Sequence, residues 1–107
     1  MTTNLSEDYH LSELFSSSEA IRHIREIVSL GEVKTTGHCR KRMAERELGF
    51  QDLLSLLLNG EVRSQPEYDP EHDHYKYRVE GHTIDGDSAI AITVIVTTRS
   101  LLVVTIF

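Results

Sequence analysis

Two long apolar runs close the sequence and constrain its fold more than any other feature. The segments AIAITVIV, residues 89–96, and LLVVTIF, residues 101–107, are rich in β-branched side chains and are separated by the turn signal TRS. Such runs are typical of strands that are covered on both faces. The preceding segment HYKYRVE, residues 74–80, alternates apolar and polar side chains, which indicates a strand with one solvated face. The chain therefore ends in a sheet.

Helical patterns fill the part of the chain before these strands. The segment SSSEAIRHIREIVSLG, residues 16–31, has isoleucines at helical spacing, with an N-cap predicted at Ser17 or Ser18 and a stop at Gly31. A second helix is predicted from Thr36 or Gly37 to Gly49, and a third over residues 51–58, ended by Asn59 and Gly60. A short helix is also expected within residues 6–15, in an acidic leader that extends over residues 1–33.

The order of the elements predicts the fold class. Four strands are expected, at Val62–Tyr68, His74–Glu80, Ser88–Thr97 and Leu101–Phe107, with short turns between them and no room for a crossover helix. We expect one α+β domain over residues 1–107, in which N-terminal helices pack on a curved four-stranded antiparallel sheet. The apolar residues of the last two strands exceed what a one-sided sheet needs, which indicates a tightly curved sheet or a subunit interface. A homodimer is therefore expected.

The sequence predicts a cytoplasmic protein. No apolar run approaches the ~20 residues that span a bilayer, so no membrane association is expected, and the N-terminus is acidic where a secretory signal would be basic. The lone Cys39 excludes an internal disulfide and a cysteine-only zinc site. The net charge of -6 argues against broad electrostatic contact with nucleic acid, so any anionic ligand must bind locally.

One segment is locally basic. GHCRKRMAER, residues 37–46, holds four of the chain's 11 lysines and arginines. At about 100° per residue, His38, Arg42 and Arg46 form one helical stripe, and Cys39 and Met43 follow it as the expected core contacts. The stripe borders the buried face, where a guanidinium can present its planar fork to an oxyanion while its stem stays packed. A histidine and two arginines near a helix N-terminus predict a phosphate site.

Two other interpretations of these polar residues are open. The arginines can pair with the excess of carboxylates, as basic side chains on short helices usually do. The segment EHDHYKY, residues 71–77, can bind a metal through His72, Asp73 and His74 with a further ligand such as His82 or Cys39, but the spacing matches no strong zinc signature. A solvated loop is favoured there, and neither a metal nor a cofactor is expected.

These segments also resemble a known family. HCRKRMAERELGFQDLLSLLLNGEV, with YKYRVEG, IDGDSAIAITVIV and the terminal VVTIF, resembles the small bacterial domains of DUF4258 over about residues 35–107. That family looks similar to the RelE and ParE toxins and to the wider barnase, EndoU, colicin and RelE ribonuclease fold. The resemblance implies a RelE-like sheet and a toxin with a cognate antitoxin protein. Carried over by position, His38, Arg42 and Arg46 match the motif, and Thr105 matches a polar residue of the last strand.

The resemblance implies metal-independent cleavage of RNA. His38 would transfer a proton, Arg42 and Arg46 would clamp the phosphate, and Thr105 would orient it by a hydrogen bond. Further RNA contacts are expected from Lys41, Lys76, Tyr77 and Arg78. The second proton-transfer group stays open among Tyr77, His74 and His82. The alternative function is a non-catalytic module that keeps the fold and binds a partner protein or a second copy of itself.

Overall fold

The computed structural model describes residues 13–107, so most of the helix expected within residues 6–15 lies outside the described part of the chain. In the described part, three helices, with one strand between the first and the second, precede five consecutive strands. In chain order they are α1 (Ser17–Leu30), β1 (Glu32–Thr35), α2 (Gly37–Glu45), α3 (Phe50–Asn59), β2 (Glu61–Val62), β3 (Glu67–Asp69), β4 (His74–His82), β5 (Ser88–Thr97) and β6 (Ser100–Ile106). The α+β class is confirmed.

Local capping sets the helix limits. The N-cap of α1 is Ser16 rather than the predicted Ser17 or Ser18: its Oγ accepts from the Glu19 N–H, and the Glu19 carboxylate accepts from the Ser16 N–H. Thr36 caps α2, as predicted. This helix ends at Glu45 rather than near Gly49, because Glu47 adopts a left-handed conformation with φ 58°.

The sheet differs from the expected four-stranded antiparallel meander. Five strands follow the order β1-β6-β5-β4-β2, and β3 pairs with the first part of β4. Strand β5 pairs in antiparallel fashion with both β4 and β6, as predicted. The expected strand Val62–Tyr68 is instead two short strands, β2 and β3. The mixed character comes from β1, a strand that was not predicted, which pairs in parallel with β6 from Glu32↔Ser100 to Thr35↔Val103.

The three helices share one core with one face of the sheet. Side chains of α1, α2 and α3 meet a row of sheet residues that includes Val79, Ala91 and Ile106, which are paired across β4, β5 and β6. Apolar contact across this layer is the main stabilising term of the fold. No helix among residues 13–107 is long and apolar enough to cross a membrane.

The opposite face of the sheet is partly covered by the β3–β4 hairpin. Asp69, His72 and His74 of this hairpin line a cavity of about 200 Å³ together with Leu102 and Val104 of β6. Val94, which pairs with Leu102, is buried although the helices pack on the other face. The hairpin therefore lies over this part of the sheet, and this cover accounts for part of the apolar surplus in the last strands.

Candidate functional site

Helix α2 is attached to the free edge of β6 beyond the point where β1 ends. The Thr36 N–H donates to the Val103 carbonyl at 3.1 Å, and the Thr36 hydroxyl donates to the Val104 carbonyl at 2.6 Å. The same hydroxyl accepts from the Cys39 N–H, so one side chain caps the helix and joins it to the strand. Cys39 and Met43 enter the core, as predicted. The helix therefore continues the line of β1 alongside β6.

Arg42 closes the end of that edge. Its Nε donates to the Ile106 carbonyl at 3.3 Å, and its guanidinium carbon lies 5.5 Å from the centroid of the Phe107 ring. The side chain is half-buried. Its two terminal nitrogens make no hydrogen bond to residues 13–107, so the fork that can hold an oxyanion is not used by those residues.

Arg46 stands one turn further along, at the C-cap of α2 rather than inside the helix. Its N–H still bonds to the Arg42 carbonyl at 3.1 Å, which keeps the two arginines at helical spacing. The Arg46 Nη2 donates to the carbonyl of Ser88, the first residue of β5, at 3.2 Å. Its Nη1 is buried and has no hydrogen-bond partner in the described part of the chain. A buried donor without a partner is costly.

Thr105 owes its position to a β-bulge. Thr93 pairs with Val103, but Ile92 pairs with Thr105, so Val104 is one extra residue on β6. The bulge turns Thr105 away from the helices and places Ile106 in the core, the reverse of strict alternation. The Thr105 Oγ1 is buried without a hydrogen-bond partner among residues 13–107. Arg78, Ile92 and Thr105 thus form one row across the sheet face opposite the helices.

His38 lies at the start of α2 and is exposed. Three contacts of α2 and its cap follow one direction along the edge: Thr36 meets Val104, Arg42 meets Ile106, and Arg46 meets Ser88. The two arginines therefore lie at the end of β6 and the start of β5, whereas Thr105 faces the side of the sheet opposite the helices. None of the ion pairs among residues 13–107 involves Arg42 or Arg46, so the interpretation in which carboxylates occupy these arginines does not apply to this part of the chain.

The four further RNA contacts are not brought together. Lys41 is exposed on α2, Lys76 pairs with Asp69 at 3.7 Å, and Arg78 pairs with Glu80 at 3.7 Å. Tyr77 is only 1% exposed: it belongs to the core row of β4, where its hydroxyl accepts from the Phe15 N–H at 2.9 Å. Burial raises its pKa. The prediction that Tyr77 contacts RNA or transfers a proton is therefore wrong, because its side chain faces the helices.

A second polar cluster, centred on Asp69, was missed by the sequence analysis. The Asp69 Oδ2 lies 2.8 Å from the His72 Nδ1, 3.5 Å from the His74 Nε2 and 3.7 Å from the Lys76 Nζ. The pKa of the Asp69 carboxyl is lowered to about 2, foremost by the hydrogen bond from His72. Asp69 is the Cα partner of His74 in the hairpin, a register that the spacing alone does not reveal.

The side chains that were expected to join His72 and His74 lie elsewhere. Asp73 has φ 52° and accepts a hydrogen bond from the Tyr68 hydroxyl at 2.7 Å. His82 is at the far end of β4, roughly 25 Å along the strand from His74. Cys39 is in the core, where burial raises the pKa of its thiol. The ligand set considered from the sequence is therefore wrong in all but its two histidines.

The fold and the candidate site define a small α+β domain in which a basic helix is docked on the free edge of the last strand. The family model of DUF4258, described as a domain of unknown function, matches residues 35–107. The matched region includes both α2 and β6. The chain belongs to the DUF4258 family. Neither the curated proteins nor the solved structures provided a match.

Proposed function

We propose that the edge formed by α2 and β6 binds RNA phosphate and that this domain is a RelE-like ribonuclease of the toxin class. The observation that carries the proposal is the buried, unpartnered Arg46 Nη1, one helical turn from the unused terminal nitrogens of Arg42, on residues chosen from the sequence for this role. A buried polar atom without a partner costs ~1–3 kcal/mol. Contact with a phosphate oxygen would remove that cost.

The arginines suit an anion in geometry as well as charge. Arg42 is held through Nε and by the Phe107 ring, so its terminal nitrogens are oriented before a ligand binds. Arg46 is held by one hydrogen bond from a terminal nitrogen, Nη2, which leaves Nη1 for a ligand. Two guanidinium groups fixed by backbone carbonyls lose little side-chain entropy when they bind an oxyanion, and charge-assisted bonds of this kind are worth ~1.5–3 kcal/mol.

His38 is the proton-transfer group of this proposal. It is exposed one turn before Arg42, at the helix end whose backbone N–H groups favour anions. RNA supplies its own nucleophile, the 2′-hydroxyl, so the side chains need to move protons and stabilise the charge of the transition state. With Tyr77 in the core, His74 and His82 remain the candidates for the second proton-transfer group.

The proposal includes two further statements. The protein works in the cytoplasm, and it has a cognate antitoxin protein as its partner. A chain of net charge -6 does not attract RNA over its whole surface. Binding must therefore depend on the few residues of the α2–β6 edge. Removal of one of their guanidinium groups is then expected to lower the affinity for RNA strongly.

The test is cleavage of an RNA oligonucleotide by the purified chain in EDTA, compared among wild type, His38→Ala and Arg42→Lys. We expect cleavage by the wild type, loss of cleavage without loss of binding in His38→Ala, and weaker binding in Arg42→Lys. Arg22→Lys makes the same chemical change at an exposed position of α1 and serves as the matched control. Induced expression in a bacterial host should halt growth for the wild type but not for His38→Ala. RNA that stays intact with all four proteins would reject the ribonuclease.

A second function, binding of a partner protein or of a second copy, is favoured by two observations. Phe107 is 49% exposed although it is a large aromatic residue, and β1 is an edge strand whose other side has no partner strand among residues 13–107. Sedimentation tests the binding of a second copy. A wild-type homodimer that dissociates in the Phe107→Ser variant supports self-association, and a wild-type monomer at high micromolar concentration contradicts it.

A further inference from the structure

The Asp69 cluster has the composition of a metal site and lies outside the α2–β6 edge. One ligand atom from each of Asp69, His72 and His74 can be chosen so that all three lie within 4.8 Å of one another. Two imidazole nitrogens and one carboxylate oxygen are ligands that Zn²⁺ and its neighbours in the first transition row prefer.

One of the ligand distances already fits a bound ion. Ligand atoms ~2.0–2.1 Å from a tetrahedral zinc ion are about 3.4 Å apart. The Asp69 Oδ2 is 3.5 Å from the His74 Nε2, which already matches that spacing. It is 2.8 Å from the His72 Nδ1, a hydrogen-bond distance that must lengthen when a metal replaces the proton between the two atoms.

The backbone of the hairpin holds these groups in place. Asp69 and His74 are direct partners in the β3–β4 pairing, and the Glu71 N–H donates to the Asp69 Oδ1 at 3.0 Å. That bond occupies one carboxylate oxygen and directs the other towards the imidazoles, in the way that outer contacts orient metal ligands. The two imidazole rings are stacked, with centroids 5.4 Å apart and planes 12° apart, so one ring must turn before both imidazoles can direct a nitrogen at the same ion.

Space for a further ligand adjoins the cluster. Asp69, His72 and His74 line the cavity of about 200 Å³ whose other walls are Thr36, Lys76, Leu102 and Val104. A bound ion with three protein ligands would therefore keep one position open to this cavity, as catalytic rather than structural zinc sites do.

We propose that Asp69 Oδ2, His72 Nδ1 and His74 Nε2 bind one divalent transition-metal ion of the Zn²⁺ type, with a water molecule or a small ligand at the position facing the cavity. Lys76 competes with the ion, because its ammonium group lies 3.7 Å from the same carboxylate oxygen. Removal of that charge should strengthen metal binding. The inference does not depend on the ribonuclease proposal.

The experiment is a titration of the full chain, freed of metal with EDTA and dialysed, with Zn²⁺ by calorimetry and with Co²⁺ by visible absorption. We expect one ion per chain and no comparable binding of Mg²⁺, which prefers oxygen ligands. His72→Gln should weaken Zn²⁺ binding by at least about tenfold. Because the His72 side chain is 61% exposed, this variant is expected to fold, and a thermal unfolding curve verifies it. Lys76→Gln should bind Zn²⁺ more tightly than wild type.

His82→Gln is the matched control, since it removes an exposed histidine from the other end of β4. It should leave Zn²⁺ affinity unchanged. The proposal is overturned if the wild type binds no Zn²⁺ at micromolar concentration. It is also overturned if His72→Gln and His82→Gln change the affinity equally, because histidines elsewhere on the surface would then hold the ion.

Discussion

The guanidinium group of Arg42 lies over the ring of Phe107, with its central carbon 5.5 Å from the ring centroid. The same side chain donates from Nε to the carbonyl of Ile106, the residue that precedes the ring. Helix α2 is thus joined to the end of β6 by a planar cation that is both stacked and hydrogen-bonded. A lysine can reproduce its charge but neither its plane nor its Nε donor.

Arg42→Lys is therefore expected to weaken binding of an RNA oligonucleotide and of a sulfate probe, and to lower the free energy of unfolding by about 1 kcal/mol. Titration at fixed low salt measures the first effect, and urea denaturation measures the second. Equal, small changes in Arg42→Lys and Arg22→Lys would mean that the stripe is an ordinary solvated helix face.

Thr105→Val separates stability from function. The buried Thr105 hydroxyl has no hydrogen-bond partner among residues 13–107, and valine has nearly the same shape. We expect the free energy of unfolding to stay constant or rise by about 1 kcal/mol, while RNA binding falls. A combined measurement of urea denaturation and RNA affinity checks both. A clear loss of stability would show that the hydroxyl contributes to the fold.

The lowered pKa of Asp69 predicts how stability depends on pH. The folded value of about 2 lies below the ordinary 3.8, so the folded state holds fewer protons. The stabilisation from this carboxylate is complete above the ordinary value and is lost as pH falls towards 2. The stability advantage of wild type over Asp69→Asn should therefore shrink between pH 4 and pH 2. Urea denaturation of both proteins across this pH range tests the prediction. Glu67→Gln, which removes a carboxylate from the same strand, is the control.

Gly60 is the junction of α3 and β2, and it has no room for a side chain. A Cβ there would lie 2.7 Å from the Leu56 carbonyl oxygen and 2.8 Å from that of Glu80. Both atoms belong to the backbone and cannot turn away, so Gly60→Ala should lower the free energy of unfolding by about 1–3 kcal/mol. Gly37→Ala is the matched control, since its nearest neighbour is an Arg40 side-chain nitrogen at 3.7 Å. Similar thermal unfolding curves for the two variants would contradict the prediction.

Local patterns predicted the elements that depend on local physics. The helix around His38 and Arg42 follows from the period of 3.6 residues and from the Thr36 cap, and strands β4 to β6 follow from their apolar runs. These features include three of the four candidate residues on α2 and β6, and the fourth, Thr105, came from the family resemblance.

The remaining features depend on contacts that a sequence pattern does not contain. Strand β1 has four residues, two of them charged, and it forms because β6 offers an edge 68 residues away. The bulge at Val104 exchanges the faces of Thr105 and Ile106, and the hairpin register places Asp69 rather than Asp73 beside His74. A shift of one residue in either pairing would have given a different site.

The parallel pairing of β1 with β6 also determines when the α2–β6 edge can exist during synthesis. The hydroxyl of Thr36 donates to the carbonyl of Val104, which lies 68 residues later in the chain. The whole segment between them must therefore emerge from the ribosome before this hydrogen bond can form. The hairpins among β3, β4 and β5 close over far shorter distances and are expected to form earlier. Arg42 then reaches its backbone acceptor, Ile106, only after β6 has joined the sheet. A nascent or truncated chain therefore carries the basic helix without the strand that completes its anion site.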